Sequence, residues 1–353
     1  MELFVYNWIY TGYTLYGHSL DDDGKYMLLK VTDFFPSCFV EGETVKKSTV
    51  VPVKTEYKIM SSSRDISSRR PFHRMYFRNK KDMDIFAREN RNSTHMDGIP
   101  QVTVFLSQIG ADHVGWVRVA KRQPFKHVCA VMSDIVGVPD RLQPSEVKVM
   151  SFDIEVRSME GMPQPHRMRD TVEMISVVTN DSTFLFHTTP GLNLTCHTVM
   201  CDDEIDMITR FFTLIESEDP TILTGYNIHG FDLHYLVSRL KLRLVEIPSI
   251  SRGTYNCVDV IRVDWSSDAY GNNSYDRLVI GGRVILDMYL YFKRMKLDKY
   301  SLEFVSNKFL GEGKDDMTHE TMMKAFQSGD LAALADVARY CIKDSAQIGR
   351  AHV

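Results

Sequence analysis

The chain has 353 residues, 44% hydrophobic and 25% charged, enough for two or three domains and at least one sizeable core. A net charge of −4 excludes a global field that would draw it onto nucleic acid, so any such contact must come from local basic patches. No apolar run reaches the roughly 18 residues of a membrane span, and the first residues lack the basic and apolar regions of a signal peptide.

The first part reads as strand-rich. Phe4–Tyr10, Thr14–His18 and Tyr26–Val31 carry β-branched and aromatic residues, with a turn at Asp21–Gly24, which predicts a meander. The polar, basic run Ser61–Arg70 reads as a loop. Arg74, Arg78, Lys80 and Lys81 follow, with Phe72, Tyr76 and Phe77 interleaved. This stretch from Arg64 to Lys81 suits contact with single-stranded template, or else a solvated loop with ordinary packing aromatics. Lys81–Asn90 has helical character, and Gln101–Leu106 and Val114–Ala120 read as extended. Gln143-Pro144-Ser145-Glu146 reads as a linker, so a first domain is expected over residues 1–146.

From Val147 the pattern changes. Val147–Val156, Glu173–Thr179, Thr183–His187 and Thr221–Thr224 are expected strands. Helices are expected over Glu204–Glu216, Phe231–Leu242, Tyr300–Leu310, Thr318–Ser328 and Asp330–Gln347. Ser249–Asp287 reads as strands, with a polar hairpin tip around Ser266–Ser274. The expected class is α/β (α+β), a mixed sheet flanked by helices and preceded by a β-rich domain. The six cysteines (Cys38, Cys129, Cys196, Cys201, Cys257 and Cys341) form no Cys-x-x-Cys pair. That spacing argues against zinc and for reduced thiols in an intracellular protein.

Three groups of residues carry potential chemistry. Phe152-Asp153-Ile154-Glu155 puts two acids two residues apart in an apolar strand, so both face the same side. Side by side they repel and lose hydration, a cost that a cation removes; taken alone, either could instead cap a turn or face solvent. Asp232, beside Phe231, sits where a helix begins and could be a plain N-cap. Tyr340 and Asp344 lie four apart on one helix face, and could be a half-buried tyrosine beside a surface acid.

Together these segments resemble the exonuclease motifs of family-B DNA polymerases. Phe152-Asp153-Ile154-Glu155 resembles motif I, Tyr226-Asn227-x-x-x-Phe231-Asp232 motif II, and Tyr340-x-x-x-Asp344 motif III. Asp219–Asn227, Gly282-Arg283-Val284-x-x-Asp287 and Tyr300–Gly311 resemble delta-type enzymes, and Gly115-Trp116 resembles a motif ahead of the exonuclease domain. Phe4–Trp8 is more similar to polymerases of large cytoplasmic DNA viruses. The resemblance implies a ribonuclease-H-like 3′→5′ proofreading exonuclease over residues 147–347, using two Mg²⁺ or Mn²⁺ ions. It implies that Asp153, Glu155, Asp232 and Asp344 hold the ions, that Tyr340 orients the attacking water, and that Asn227 and Phe231 position the DNA 3′ end, although Phe231 could instead be a helix-start residue packed into the core. Asp287, a fifth acid, reads as a structural residue, a cap or a support for the ligands rather than as a ligand itself.

The implied partners are single-stranded and primer-template DNA, the palm, fingers and thumb of a longer polymerase, and a sliding clamp or processivity factor. The implied setting is a nucleus or a cytoplasmic viral factory, with no membrane. A separating role for the hairpin near Tyr270 is implied by analogy. No Tyr-Gly-Asp-Thr-Asp or Ser-Leu-Tyr-Pro segment is present, so this chain is not expected to polymerise. Residues 348–353, Ile-Gly-Arg-Ala-His-Val, can be encoded as ATC GGA AGA GCA CAC GTC, a widely used sequencing adapter. They are expected to be a non-native read-through tail, and different codons in the coding DNA would refute that. Two rival readings are a stand-alone exonuclease acting on RNA and an inactive exonuclease fold kept as a scaffold or DNA clamp.

Overall fold

The computed structural model describes residues 1–42, 48–62, 65–95, 97–120, 127–253, 258–267, 271–312 and 317–350. Contacts divide the chain into two compact units, Met1–Glu146 and Val147–Val353.

In the first unit, strands β1 (Glu2–Tyr10), β2 (Leu15–Leu20) and β3 (Tyr26–Val31) form the expected antiparallel meander. Strands β4 (Ser37–Glu41), β5 (Lys54–Ser62) and β6 (Asp65–Tyr76) come next, then helix α1 (Lys80–Glu89) and the short β7 (Thr94–His95). Helix α2 (Gln101–Ile109) and strands β8 (Gly115–Val119), β9 (His127–Ala130) and β10 (Ile135–Gly137) complete the unit. One sheet has the order β10-β8-β1-β2-β3-β9, the other β5-β6-β4-β7. Trp116 anchors the first: its indole N–H donates to the Gln143 carbonyl at 2.6 Å, and the Arg141 guanidinium lies 3.3 Å from the ring centroid.

Two expectations for this unit are corrected. Gln101–Leu106 is helical, not extended. Its buried residues Gln101, Val104, Phe105 and Ile109 recur at helical spacing, and Gly110 ends the helix in the left-handed region at φ 66°. The β-branched content of this short run hid that period. Within the expected loop Ser61–Arg70, the described residues Ser61, Ser62 and Asp65–Arg70 are instead part of an antiparallel hairpin, with Met60 opposite Arg70 and Ser61 opposite Arg69. Its exposed flank has no apolar alternation to betray a strand. The aromatics of the basic stretch serve packing: Phe72 and Phe77 are core residues, and Tyr76 donates to Glu56 at 2.8 Å. They offer no stacking platform, and Arg64 lies outside the described residues.

The second unit is built on a six-stranded mixed sheet. Its strands are β11 (Val149–Arg157), β12 (Thr171–Thr179), β13 (Thr183–His187), β14 (His197–Met200), β15 (Ile222–Gly225) and β18 (Val284–Asp287). The order is β14-β13-β12-β11-β15-β18, so β11 is central, antiparallel to β12 and parallel to β15. Strands β16 (Val258–Ser267) and β17 (Gly271–Ile280) form a separate hairpin; of the tip expected over Ser266–Ser274, Ser266, Ser267 and Gly271–Ser274 are instead paired strand, and 268–270 lie outside the described residues.

Helices α3 (Glu204–Glu218) and α4 (Asp232–Leu242) pack apolar faces against the sheet around Phe152, Ile208, Phe211, Leu223 and Leu236. A buried ion pair joins them: Arg239 on α4 donates to both carboxylate oxygens of Glu204 on α3. Arg239 also donates to the carbonyls of Pro165 and Arg167, which fixes the loop that follows β11. Helix α5 (Met288–Lys293), which the sequence reading did not anticipate, precedes α6 (Leu302–Leu310), α7 (His319–Ser328) and α8 (Leu331–Arg350). Helix α8 runs without a break through Ile348, which is buried with Met288, Phe292 and Val305.

Candidate active site

The site begins on the central strand. Asp153 and Glu155 alternate with the core residues Phe152, Ile154 and Val156, so the strand's pleat puts both carboxylates on one side. The pairing with β12 shifts register immediately after Glu155, a bulge that ends regular pairing at the second acid.

Helix α8 crosses this strand at close range because its contact residues are small. Ser151 Oγ donates to the Ser345 carbonyl at 2.8 Å, Ser176 Oγ donates to the Cys341 carbonyl at 2.8 Å, and the Ser176 and Ser345 hydroxyls are 2.5 Å apart. A Cβ on Gly349 would lie 2.9 Å from Ser151 Oγ. This docking carries Tyr340 and Asp344 to the acids on β11.

The loop after β15 delivers the remaining acid. Asp287 anchors it: its carboxylate accepts the backbone N–H of Asn227 at 2.9 Å and of His229 at 3.1 Å, and caps α5 through Tyr289 N–H at 3.0 Å. Asp287 is therefore the capping residue the sequence suggested. Asn227 adopts φ 61°, and its carbonyl accepts from Gly230 and Phe231, turning the chain into α4. Asp232 becomes the first residue of that helix and is buried. Phe231 is half-buried, packed against the core with its ring 5.4 Å from Tyr235. Strand β15 is itself clamped: Asp219 binds Arg252 at 2.7 Å and Arg283 at 2.9 Å, and Arg283 also donates to the Pro220 and Ile250 carbonyls.

Gly225 closes β15 against this loop, where a Cβ would meet Ile228 Cγ2 at 2.1 Å and the Phe152 carbonyl at 3.0 Å. Gly225→Ala is expected to destabilise the chain by about 1–3 kcal/mol through overpacking, read as a lowered urea midpoint in equilibrium unfolding. An unchanged midpoint would show that the loop yields freely.

Electrostatics tie the four acids together. Burial pushes the Asp153 carboxyl well above the usual range, and the charges of Asp232, Glu155 and Asp344 push it further. Glu155 is raised by burial and then by Asp344 and Asp232. Asp232 is pushed up to about 7, mainly by burial, although the backbone N–H groups of Asp232 and Ile154 oppose the rise. Asp344 accepts a hydrogen bond from the Tyr340 phenol, whose proton is held far more tightly than usual by burial and the surrounding carboxylates.

The Glu155 carboxylate is 8% exposed and has no hydrogen-bond or ion-pair partner among the described residues. A buried anion without a partner, facing further anions, fits a divalent cation better than any neutral occupant. Among the described residues, the ligand atoms of Asp153, Glu155 and Cys341 all lie within 4.8 Å of one another. Asp232 and Asp344 stand outside that set and act on it through charge. Cys341 was missed because its spacing from the other cysteines carried no information. The available signal was its place three residues before Asp344 on one helix face. A cavity of about 980 Å³ lined by Asp181, Thr183, Asn193, His197, Arg339 and Ile342 contains none of the acids.

Comparison with known proteins identifies the family of the chain and its fold. The sequence model described as "DNA polymerase family B, exonuclease domain" matches residues 113–305, which include Asp153, Glu155, Asn227, Phe231 and Asp232 and end before Tyr340. The DNA polymerase delta catalytic subunit of Schizosaccharomyces pombe is 31% identical over 60% of this chain and 20% of its own length. The putative DNA polymerase 060R of Frog virus 3 is 25% identical over 98% of this chain and 37% of its own. The family B DNA polymerase of the archaeon Pyrobaculum calidifontis has a similar fold, with a TM-score of 0.73 at 18% identity over 99% of this chain and 45% of that one. The chain thus spans less than half the length of each of these three proteins. The match over more than half of the chain shows that it belongs to the DNA polymerase family B, of which it carries the exonuclease domain.

Proposed function

We propose that the second unit is a 3′→5′ exonuclease that hydrolyses the terminal phosphodiester of single-stranded or frayed primer DNA. The observation that supports this most is the cluster of mutually repelling carboxylates, in which Glu155 is buried and has no hydrogen-bond or ion-pair partner among the described residues. Two divalent cations, Mg²⁺ or Mn²⁺, neutralise charge on the attacking and leaving oxygens when bound. Asp153, Glu155, Asp344 and Asp232 would hold these ions, and the ions would supply the charge neutralisation that in-line attack on the phosphodiester needs.

Tyr340 stays protonated at neutral pH, so it acts as an orienting group and not as a base. Its O–H donates to Asp344, which leaves the phenol oxygen to accept a hydrogen bond from the attacking water. Asn227 and Phe231 line the approach for the 3′-terminal nucleotide, Phe231 by stacking on a base of any identity. No helix among the described residues is long and apolar enough to cross a membrane. In a longer polymerase the domain would serve DNA replication in a nucleus or viral factory, beside palm, fingers and thumb and a processivity factor.

The test is digestion of an end-labelled primer with a mismatched 3′ end. Stepwise shortening that needs Mg²⁺ is expected. Preference for RNA would favour a stand-alone RNA exonuclease, and no cleavage by folded protein would favour an inactive scaffold. Tyr340→Phe is expected to lower kcat by about 10- to 100-fold with little change in thermal midpoint. Unchanged kcat would remove Tyr340 from the mechanism.

A further inference from the structure

Cys341 has no assigned part in hydrolysis, yet its side chain is fully buried at the site. Its Sγ lies 3.1 Å from Ser176 Oγ, 3.8 Å from the Asp153 carbonyl and 3.9 Å from Asp153 Oδ2. The third member of the set is Glu155, buried and without a partner of its own among the described residues. The donors are therefore one thiol and two carboxylates. Oxygen donors suit hard cations, whereas sulfur selects softer ones. A tetrahedral cation of the zinc class, with bonds of roughly 2.3 Å to sulfur and roughly 2.0–2.2 Å to oxygen, spans donors about 3.6 Å apart. The Cys341–Asp153 separation of 3.9 Å is close to that span.

We propose that Asp153, Glu155 and Cys341 form a mixed oxygen–sulfur site that captures a thiophilic divalent cation of the zinc class in place of the hard cation. Binding exchanges the thiol proton for the cation: the S–H bond breaks, an S–metal bond forms, and one proton passes to solvent. Helix α8 pins the sulfur, since the Cys341 carbonyl accepts from Ser176 and the neighbouring Ser345 carbonyl accepts from Ser151. The sulfur is thus presented to β11 without rearrangement. The consequence is an exonuclease site that thiophilic metals occupy and block. The proposal concerns the same site as the proposed exonuclease, but binding is tested without reference to activity.

Cd²⁺ is the probe, because a thiolate–cadmium bond gives an ultraviolet charge-transfer band. Titrating the full chain is expected to give one equivalent of band in the wild type that is absent from Cys341→Ser and Cys341→Ala. The serine variant keeps the size of the side chain and guards against misfolding. The difference between wild type and variant removes any signal from the exposed Cys129 and the half-buried Cys196. Asp153→Asn is expected to raise the half-saturating Cd²⁺ concentration at least about tenfold, and added Mg²⁺ to raise it in the wild type. The same band in folded Cys341→Ser, or none in the wild type, would overturn the proposal. Failure of Mg²⁺-dependent primer digestion with the band intact would instead sink the exonuclease reading and leave this one standing.

Discussion

Asp153→Ala is expected to reduce 3′→5′ exonuclease activity on the mismatched primer by at least about a thousandfold, without lowering the thermal midpoint of the metal-free protein. Asp153 sits on the central strand and is the acid that feels all three others. Removing it would withdraw one of the carboxylates proposed to hold the cations. Most buried polar residues are missed when deleted, because a partner is left unsatisfied. Here the side chain makes one long contact, from Cys341 Sγ at 3.9 Å, and otherwise faces like charge. Its loss therefore relieves repulsion. Stopped-flow digestion beside differential scanning calorimetry in EDTA measures both halves. Residual activity within tenfold of wild type would remove Asp153 from the mechanism, and a marked fall in midpoint would show that the acids support the fold.

Asp232→Asn is expected to raise the metal-free thermal midpoint at pH 7.5 by roughly 5 °C or more, corresponding to a few kcal/mol. The Asp232 carboxyl rises from an ordinary 3.8 to about 7 in the fold, so the folded chain binds that proton more tightly than the unfolded one. Its contribution to stability is full below about pH 4 and is lost as pH rises through about 7. Asp153 and Glu155, also raised, act in the same direction. The midpoint of the metal-free wild type, followed from pH 5 to pH 8, should therefore fall, and Mg²⁺ should restore it by binding the folded form alone. In Asp232→Asn the pH slope should flatten and the Mg²⁺ increment shrink. Asparagine keeps an acceptor for the Ile154 N–H, so the effect reports charge and not a lost hydrogen bond. A wild-type midpoint that does not fall over this range would contradict this electrostatic account.

Both predictions concern residues that could be picked out from sequence, but for different reasons. Asp153 and Glu155 were visible as acids inside an apolar strand, because strand period and burial are local properties. Asp232, Tyr340 and Asp344 each looked like ordinary capping or surface residues in isolation. Only their joint spacing, through resemblance, marked them. What brings them together is long-range: the serine seam of Ser151 on β11, Ser176 on β12 and Ser345 on α8, and the Asp287 anchor under Asn227. Small residues carry no periodic signal, so the seam was silent. Cys341 was hidden for the same reason, since its partners are carboxylates on another element. In the first unit, β-branched residues in α2 imitated a strand, and the solvated β5–β6 hairpin imitated a loop. Both lie where local composition and tertiary packing disagree.

The proposed exonuclease needs the four carboxylates to gather divalent cations, and diffraction from Mn²⁺-soaked crystals tests that most directly. Anomalous peaks are predicted among Asp153, Glu155, Asp232 and Asp344, and are expected to vanish in Asp153→Ala. Manganese bound elsewhere, with Glu155 still unpartnered in well-ordered density, would contradict it.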